Sequence, residues 1–123
     1  MNTNKENLGS PENPGGLGTL LFENTRVRVW ELILAPGTSC AWHRHDLEHL
    51  LIVIEGSDVG TKLADGTTAD LEIADRTVLV QPKKDQAEIA WNSSTDRTLR
   101  QLIVEFKDGL TTNATRESFR FFE

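Results

Sequence analysis

From Thr19 onward the chain is a succession of short apolar runs separated by turn residues. Arg26-Val-Arg-Val-Trp-Glu-Leu-Ile-Leu34 alternates at first, then becomes apolar on both parities, and Ala35-Pro-Gly-Thr38 breaks it. Leu50-Leu-Ile-Val-Ile54 is apolar throughout and stops at Glu55-Gly-Ser-Asp58. Lys62-Leu-Ala64 runs into Asp65-Gly66, a pair that favours a hairpin turn, and Thr67 to Ile73 forms the return. Thr77-Val-Leu-Val80 ends at Pro82, Ala87-Glu-Ile-Ala-Trp91 ends at Asn92-Ser-Ser-Thr-Asp96, and Leu99 to Phe106 closes the series at Asp108-Gly109. No segment has the periodicity of a long amphipathic helix. Short strands at this spacing predict an all-β sandwich or barrel. The tail from Thr112 to Glu123 stays open, because Phe119, Phe121 and Phe122 suit a last strand or a short packing segment equally well.

Residues 2–18 are rich in Asn, Gly, Pro and Ser and hold few apolar side chains. Residues 1–18 therefore read as a flexible N-terminal arm, and 19–123 as one domain. A chain of 123 residues has the length of one domain, and 37% apolar with 26% charged residues is the make-up of an ordinary globule. Thirteen basic against nineteen acidic residues leave a net charge of −6, which repels polyanions. Nucleic acid is not an expected partner, and Lys83-Lys84 is too small a basic cluster to change that. The lone Cys40 allows no intrachain disulfide. No apolar run reaches the roughly twenty residues of a membrane span, and the N-terminus has no apolar signal core. A cytoplasmic location without a membrane partner is the expectation. Asn92-Ser-Ser and Asn113-Ala-Thr match the glycosylation pattern, but without a secretory signal they read as chance matches.

All three histidines, His43, His45 and His49, fall within seven residues. In an extended strand they share a parity, so all three side chains would face one side. Neutral imidazoles converging from one face suit a divalent transition metal. Spacing by itself leaves two readings open, a metal triad and ordinary surface or core histidines.

The stretch Gly37-Thr-Ser-Cys-Ala-Trp-His43-Arg-His45-Asp-Leu-Glu-His49-Leu-Leu-Ile-Val-Ile-Glu-Gly56 resembles the first motif of the cupins, a family of metal-binding barrels. Gly37, His43, His45 and Gly56 fall in place, while His49 stands where that motif has its glutamate and Glu48 lies one residue earlier. The second motif is degenerate. Arg76 and Lys84 stand at its glycine positions and Pro82 matches; with one extra residue allowed, Glu88 takes the histidine position and Asn92 the asparagine position. The resemblance covers about residues 19–107 and implies a small single-domain cupin, a jelly-roll β-barrel of the RmlC-like, cupin-2 type, with its site in the barrel mouth.

The resemblance also implies a ligand set of three histidines and one glutamate. This chain keeps that inventory if His49 and Glu88 have exchanged places, so His43, His45, His49 and Glu88 become the candidate metal ligands. The ion would be iron, nickel, manganese or zinc. An alternative makes Glu48 the carboxylate ligand, which strand parity disfavours unless a bulge intervenes; another is a barrel that has lost its metal. The implied function is a metal-dependent enzyme on a small-molecule substrate, with dioxygenase or isomerase/lyase chemistry and Glu48 as candidate general base. The alternative is a non-catalytic ligand-binding or assembly barrel. The chain has no tyrosine, so mechanisms of this fold that need a tyrosine acid do not transfer.

A homodimer is the expected assembly, implied by the resemblance and supported by one pattern. If Leu51 and Val53 share the histidine face, then Leu50, Ile52 and Ile54 form an outward apolar stripe that needs a cover, from a second subunit or from the chain's own ends. Trp42 and Trp91 read as core or as pocket walls, Cys40 as an inert buried thiol, and Lys83-Lys84-Asp85 as a solvated turn.

Overall fold

The computed structural model describes residues 9–110. Among them, eight strands make two antiparallel sheets. The strands are β1 (Thr19–Glu23), β2 (Val27–Leu34), β3 (His49–Glu55), β4 (Ser57–Leu63), β5 (Thr68–Ile73), β6 (Val78–Gln81), β7 (Glu88–Asn92) and β8 (Leu99–Phe106). One sheet has the order β1-β2-β8-β3-β6 and the other β5-β4-β7. Most strands follow the apolar runs, but β4 starts at Ser57, inside the Glu55–Asp58 stretch expected to be a break, because Gly56 alone makes the corner. The open tail at 112–123 and residues 1–8 of the expected arm lie outside the described residues.

The described part of that arm is not free of the body. The Gly15 N–H donates to the Trp42 carbonyl, a short bridge joins Gly9 to Pro14, and Leu17 is buried. A Pro/Gly-rich composition suggested an arm, but one leucine in it finds an apolar wall, and that contact decides its path.

The chain passes from one sheet to the other between β3 and β4 through a single residue, Gly56. A Cβ there would run into the Ile73 carbonyl oxygen, so only glycine fits the corner. Its N–H is held by Asp75 Oδ1 at 2.7 Å. The β4–β5 hairpin turns at Asp65-Gly66 as the pair predicted, with Gly66 at φ 93°. Arg76 sits in the left-handed region at φ 61°, in the turn leading to β6. That conformation favours the glycine of the motif this position resembles.

The two sheets close over a cluster of Leu32, Leu34, Cys40, Val53, Val59, Ile89 and Leu99, with Trp42 and Trp91 packed against its flank. The tryptophans are therefore core rather than pocket walls. Asn92, fully buried, ties this end together. Its Oδ1 accepts from Ser57 Oγ (2.7 Å) and Ser94 N (3.0 Å), and its Nδ2 donates to the carbonyls of Leu34 (2.9 Å) and Arg97 (2.7 Å). One amide thereby joins β7, β4, β2 and the loop before β8.

The outer face of the five-stranded sheet is strongly apolar. Leu50 lies between Val104 and Val80, and Ile52 between Leu102 and Val78, with Phe22 opposite Val29 further along. Phe22, Val78 and Val80 are more than half exposed, as is Ile33, while Ile54 at a bulge is 38% exposed. The outward stripe expected from Leu50, Ile52 and Ile54 is thus part of a wider surface.

Replacing Asn92 with Leu, which keeps the volume, leaves two hydroxyl or amide donors and two carbonyls without their buried partner. We expect a loss of about 3 kcal/mol in unfolding free energy. Urea titration of the Asn92→Leu variant measures it, and a loss below about 1 kcal/mol would show that water or relaxation replaces the amide.

Candidate metal centre

The segment from Gly37 to His45 runs along β7, bonded through its main chain. Gly37 N donates to Asn92 O and Asn92 N to Thr38 O; Cys40 N donates to Ala90 O. His43 and Glu88 exchange both bonds, at 2.9 and 2.8 Å. Directly opposed residues of an antiparallel pair present their side chains on the same face. That is why His43 meets Glu88. His45 follows at the same parity, and its carbonyl accepts from Lys84 N at 2.9 Å. His49 arrives separately as the first residue of β3, opposite Gln81 and Glu105. The three histidines do not share one strand, as parity had suggested, yet the fold brings all three together.

The donor atoms of His43, His45 and Glu88 lie within 4.8 Å of one another. His45 Nε2 is 3.7 Å from Glu88 Oε1. The rings of His43 and His45 meet edge to face at 4.8 Å, and His49 stacks on His45 at 4.1 Å with an interplanar angle of 13°. His49 falls outside the closely spaced group of three, although it touches one of its members.

The ring orientations suit ligation. His43 Nδ1 lies 3.0 Å from the Ala41 carbonyl and His49 Nδ1 3.0 Å from the Leu47 carbonyl. A carbonyl only accepts, so each Nδ1 carries the proton and each Nε2 keeps its lone pair. His45 Nδ1 is buried with no partner. Burial lowers the pKa of all three imidazoles below the ordinary 6.5, and takes His45 furthest, to about 2, with His49, His43 and Lys84 adding repulsion. All three are therefore neutral at physiological pH, the form that binds a metal. Ligands on opposite sides of an ion with bonds of about 2.0–2.2 Å stand about 4.4 Å apart, so a 4.8 Å spread is only slightly open. The donor set fits a divalent transition ion.

The Glu48 expectation is corrected. Its Oε1 accepts the Leu110 N–H at 2.8 Å and its carbonyl accepts from Phe106 N, which pins the turn after β8. It does not line the cavity, whereas Glu88 does. The carboxylate beside the histidines is therefore Glu88, and no bulge is needed at Glu48.

These groups sit at the wall of a cavity of about 300 Å³ between the sheets. Its lining is mostly apolar, with Leu51, Val59, Ile73 and Ile103 among the walls, and Thr61, Thr67, Thr68, Gln81 and Gln101 as neutral polar groups. Lys84 also lines it and places Nζ 2.9 Å from Glu88 Oε1. The sequence suggested a solvated turn at Lys84; the overlooked signal was its position four residues before a candidate ligand. Cys40 is buried 3.7 Å from His43 Nδ1, and burial pushes its thiol up to about 11, so it is an inert thiol at neutral pH. Glu105, opposite His49, is buried and accepts from Trp30 Nε1 at 2.6 Å. Arg28 Nε adds an ion pair at 3.1 Å without hydrogen-bond alignment.

The depressed imidazoles make the stability of the ion-free protein depend on pH. Unfolded, each histidine takes up a proton near 6.5; folded, His45 does so only at about 2. Stability is therefore full above 6.5 and falls as pH drops below it. Each buried neutral histidine contributes up to about 1.4 kcal/mol per pH unit in that window. Thermal melts of chelator-treated protein between about pH 7 and about pH 5 should show the decline, and His45→Asn should flatten it. A melting temperature constant across that range would mean the rings are solvated.

No protein-family model matches the chain, and no curated protein matches it. Solved structures do. A cupin domain from Bordetella pertussis Tohama I superimposes with a TM-score of 0.64 at 22% identity, over 76% of this chain and 95% of that one. An RmlC-like cupin with a double-stranded β-helix fold from Methanocaldococcus jannaschii gives a TM-score of 0.57 at 17% identity, over 72% of this chain and 76% of that one. The DMSP lyase DddQ from Ruegeria pomeroyi gives 0.50 at 13% identity, over 72% of this chain but 42% of that one. With two antiparallel sheets in double-stranded β-helix order and a histidine cluster at one end of the barrel, the chain has the fold of a small cupin domain.

Proposed function

We propose that the chain is a metal-dependent cupin that acts on a small molecule in the cavity, with His43, His45 and Glu88 holding a divalent transition ion and His49 as the fourth ligand. The observation that carries this reading is the set of three buried neutral imidazoles and one carboxylate on the wall of a cavity of about 300 Å³. Iron, nickel, manganese or zinc all suit such donors. A bound ion supplies Lewis acidity, or redox chemistry if it is iron. The protein's part is to hold the rings by their Nδ1–H bonds and to keep water from the apolar walls. Isomerase/lyase and dioxygenase reactions are the chemistries to screen; a DMSP lyase is among the structural neighbours, at an identity that speaks for the fold alone. A non-catalytic barrel would instead carry a closed tetrahedral zinc. The buried Cys40 thiol suits a reducing compartment such as the cytoplasm.

Elemental analysis of untagged protein purified without chelator should find close to one ion per chain. His43→Ala with His45→Ala should abolish it, and Glu88→Gln should weaken it by about tenfold or more. Glu48→Gln should leave metal content unchanged and lower stability instead. Metal retained in the double histidine variant would overturn the assignment.

We also propose that the outer face of the five-stranded sheet packs against a second copy of the chain. Soluble monomers rarely expose apolar patches beyond a few hundred Å². The charges on this face are already paired, with Arg100 on Glu31 at 3.0 Å, so two copies of a chain of charge −6 meet there without like-charge repulsion. Light scattering should return a dimer mass, and Val78→Glu with Val80→Glu should return a monomer. A monomeric wild type that aggregates once residues 111–123 are removed would make the tail the cover and overturn the dimer.

A further inference from the structure

Among the described residues lining the cavity, Lys84 is the one cation and Glu88 the one anion. Lys84 is anchored at both ends. Its backbone N–H donates to the His45 carbonyl and its Nζ reaches Glu88 Oε1 at 2.9 Å, with the side chain about one third exposed. The ammonium therefore sits beside the proposed ion and faces the same cavity. The other polar lining is neutral: Gln81, paired with His49 at this end, and Thr61, Thr67, Thr68 and Gln101; most of the remaining lining is hydrocarbon.

Resting on the metal-centre reading above, we infer that the site takes a small monocarboxylate with an apolar body, its carboxylate set between the ion and Lys84 Nζ. Charge argues for the head group. With the imidazoles neutral, a divalent ion, Glu88 and Lys84 leave the pocket with a net positive charge, and unbalanced charge in a low-dielectric site is costly. An anionic head offsets it, and a carboxylate offers two oxygens, one for each cation. The far walls argue against a second charge. No cation lines them, so the other end of a dicarboxylate, or a phosphate placed there, would be buried without a partner. Hydrocarbon walls favour an apolar body. Ligand cavities span roughly 300–1,000 Å³, and this one of about 300 Å³ holds a small molecule only.

Three probes separate these features: hexanoate, hexan-1-ol and adipate, titrated calorimetrically into the full chain reconstituted with nickel, an ion that keeps coordination positions open beyond four protein ligands. Metal content is measured on the same samples. Hexanoate should bind about tenfold or more tightly than either of the others, as expected for one charge-assisted pair. Lys84→Met should lose most of that advantage while keeping its nickel, and Lys84→Arg should restore it. A protein that holds nickel but binds the three probes alike, or whose Lys84→Met variant binds hexanoate as before, overturns this inference alone. A protein that holds no ion after reconstitution overturns the metal-centre reading and this inference with it.

Discussion

The site depends on a main-chain zipper. The segment from Gly37 to His45 carries two of the histidines and belongs to neither sheet; what fixes it is a run of backbone bonds to β7 and one to Lys84. Because His43 and Glu88 exchange both of their bonds, side-chain convergence follows from backbone pairing. Asn92, at the far end of the same strand, fixes where β7 lies against β4 and β2. A ligand constellation needs its rotamers and register held from behind, and here the holding is done by strand geometry rather than by loops.

Burial then sets the chemistry. Placing three imidazoles against apolar walls removes the water that would stabilise their charged forms, so they stay neutral and keep their lone pairs. The same burial favours the neutral form of Cys40, raising its pKa where it lowers those of the histidines, and keeps it a chemically quiet thiol although it lies next to His43. The core cluster and the cavity share a wall: Leu34 and Val53 pack within the cluster, while Leu32, Val59 and Leu99 also line the space that the histidines face.

Much of this was legible in the chain. Most strands are marked by apolar runs with turn residues at their ends, and Gly56, a motif match in the sequence, stands where only a glycine fits; β4 is hidden because its start, Ser57-Asp58, reads as a turn. Parity on one assumed strand points to His43, His45 and His49, and the resemblance to the cupin motifs adds Glu88. Parity survives here because it also holds across a paired strand. What could not be read was side-chain reach. Strand parity disfavours Glu48 as a ligand without excluding it; the fold turns Glu48 toward Leu110 N and Glu88 toward the histidines. Lys84 looked like a solvated turn because its stem is long enough to reach back into the barrel from the rim. Leu17 in a Gly- and Pro-rich stretch was invisible for the opposite reason, since one apolar residue makes no pattern.

The pairing of Lys84 with Glu88 also balances the charge of this cluster. Three mutually close imidazoles and a buried carboxylate would leave Glu88 with a charge and no adequate partner, because the neutral His45 ring at 3.7 Å offers little. The ammonium at 2.9 Å supplies the missing positive charge. It is only partly buried, so it costs little to keep there, and it stands at the rim rather than among the ring nitrogens. A divalent ion held among the rings would draw on the same carboxylate and compete with the ammonium for it. The residue that balances Glu88 would then face the cavity with its positive charge turned to whatever anionic group shares that space.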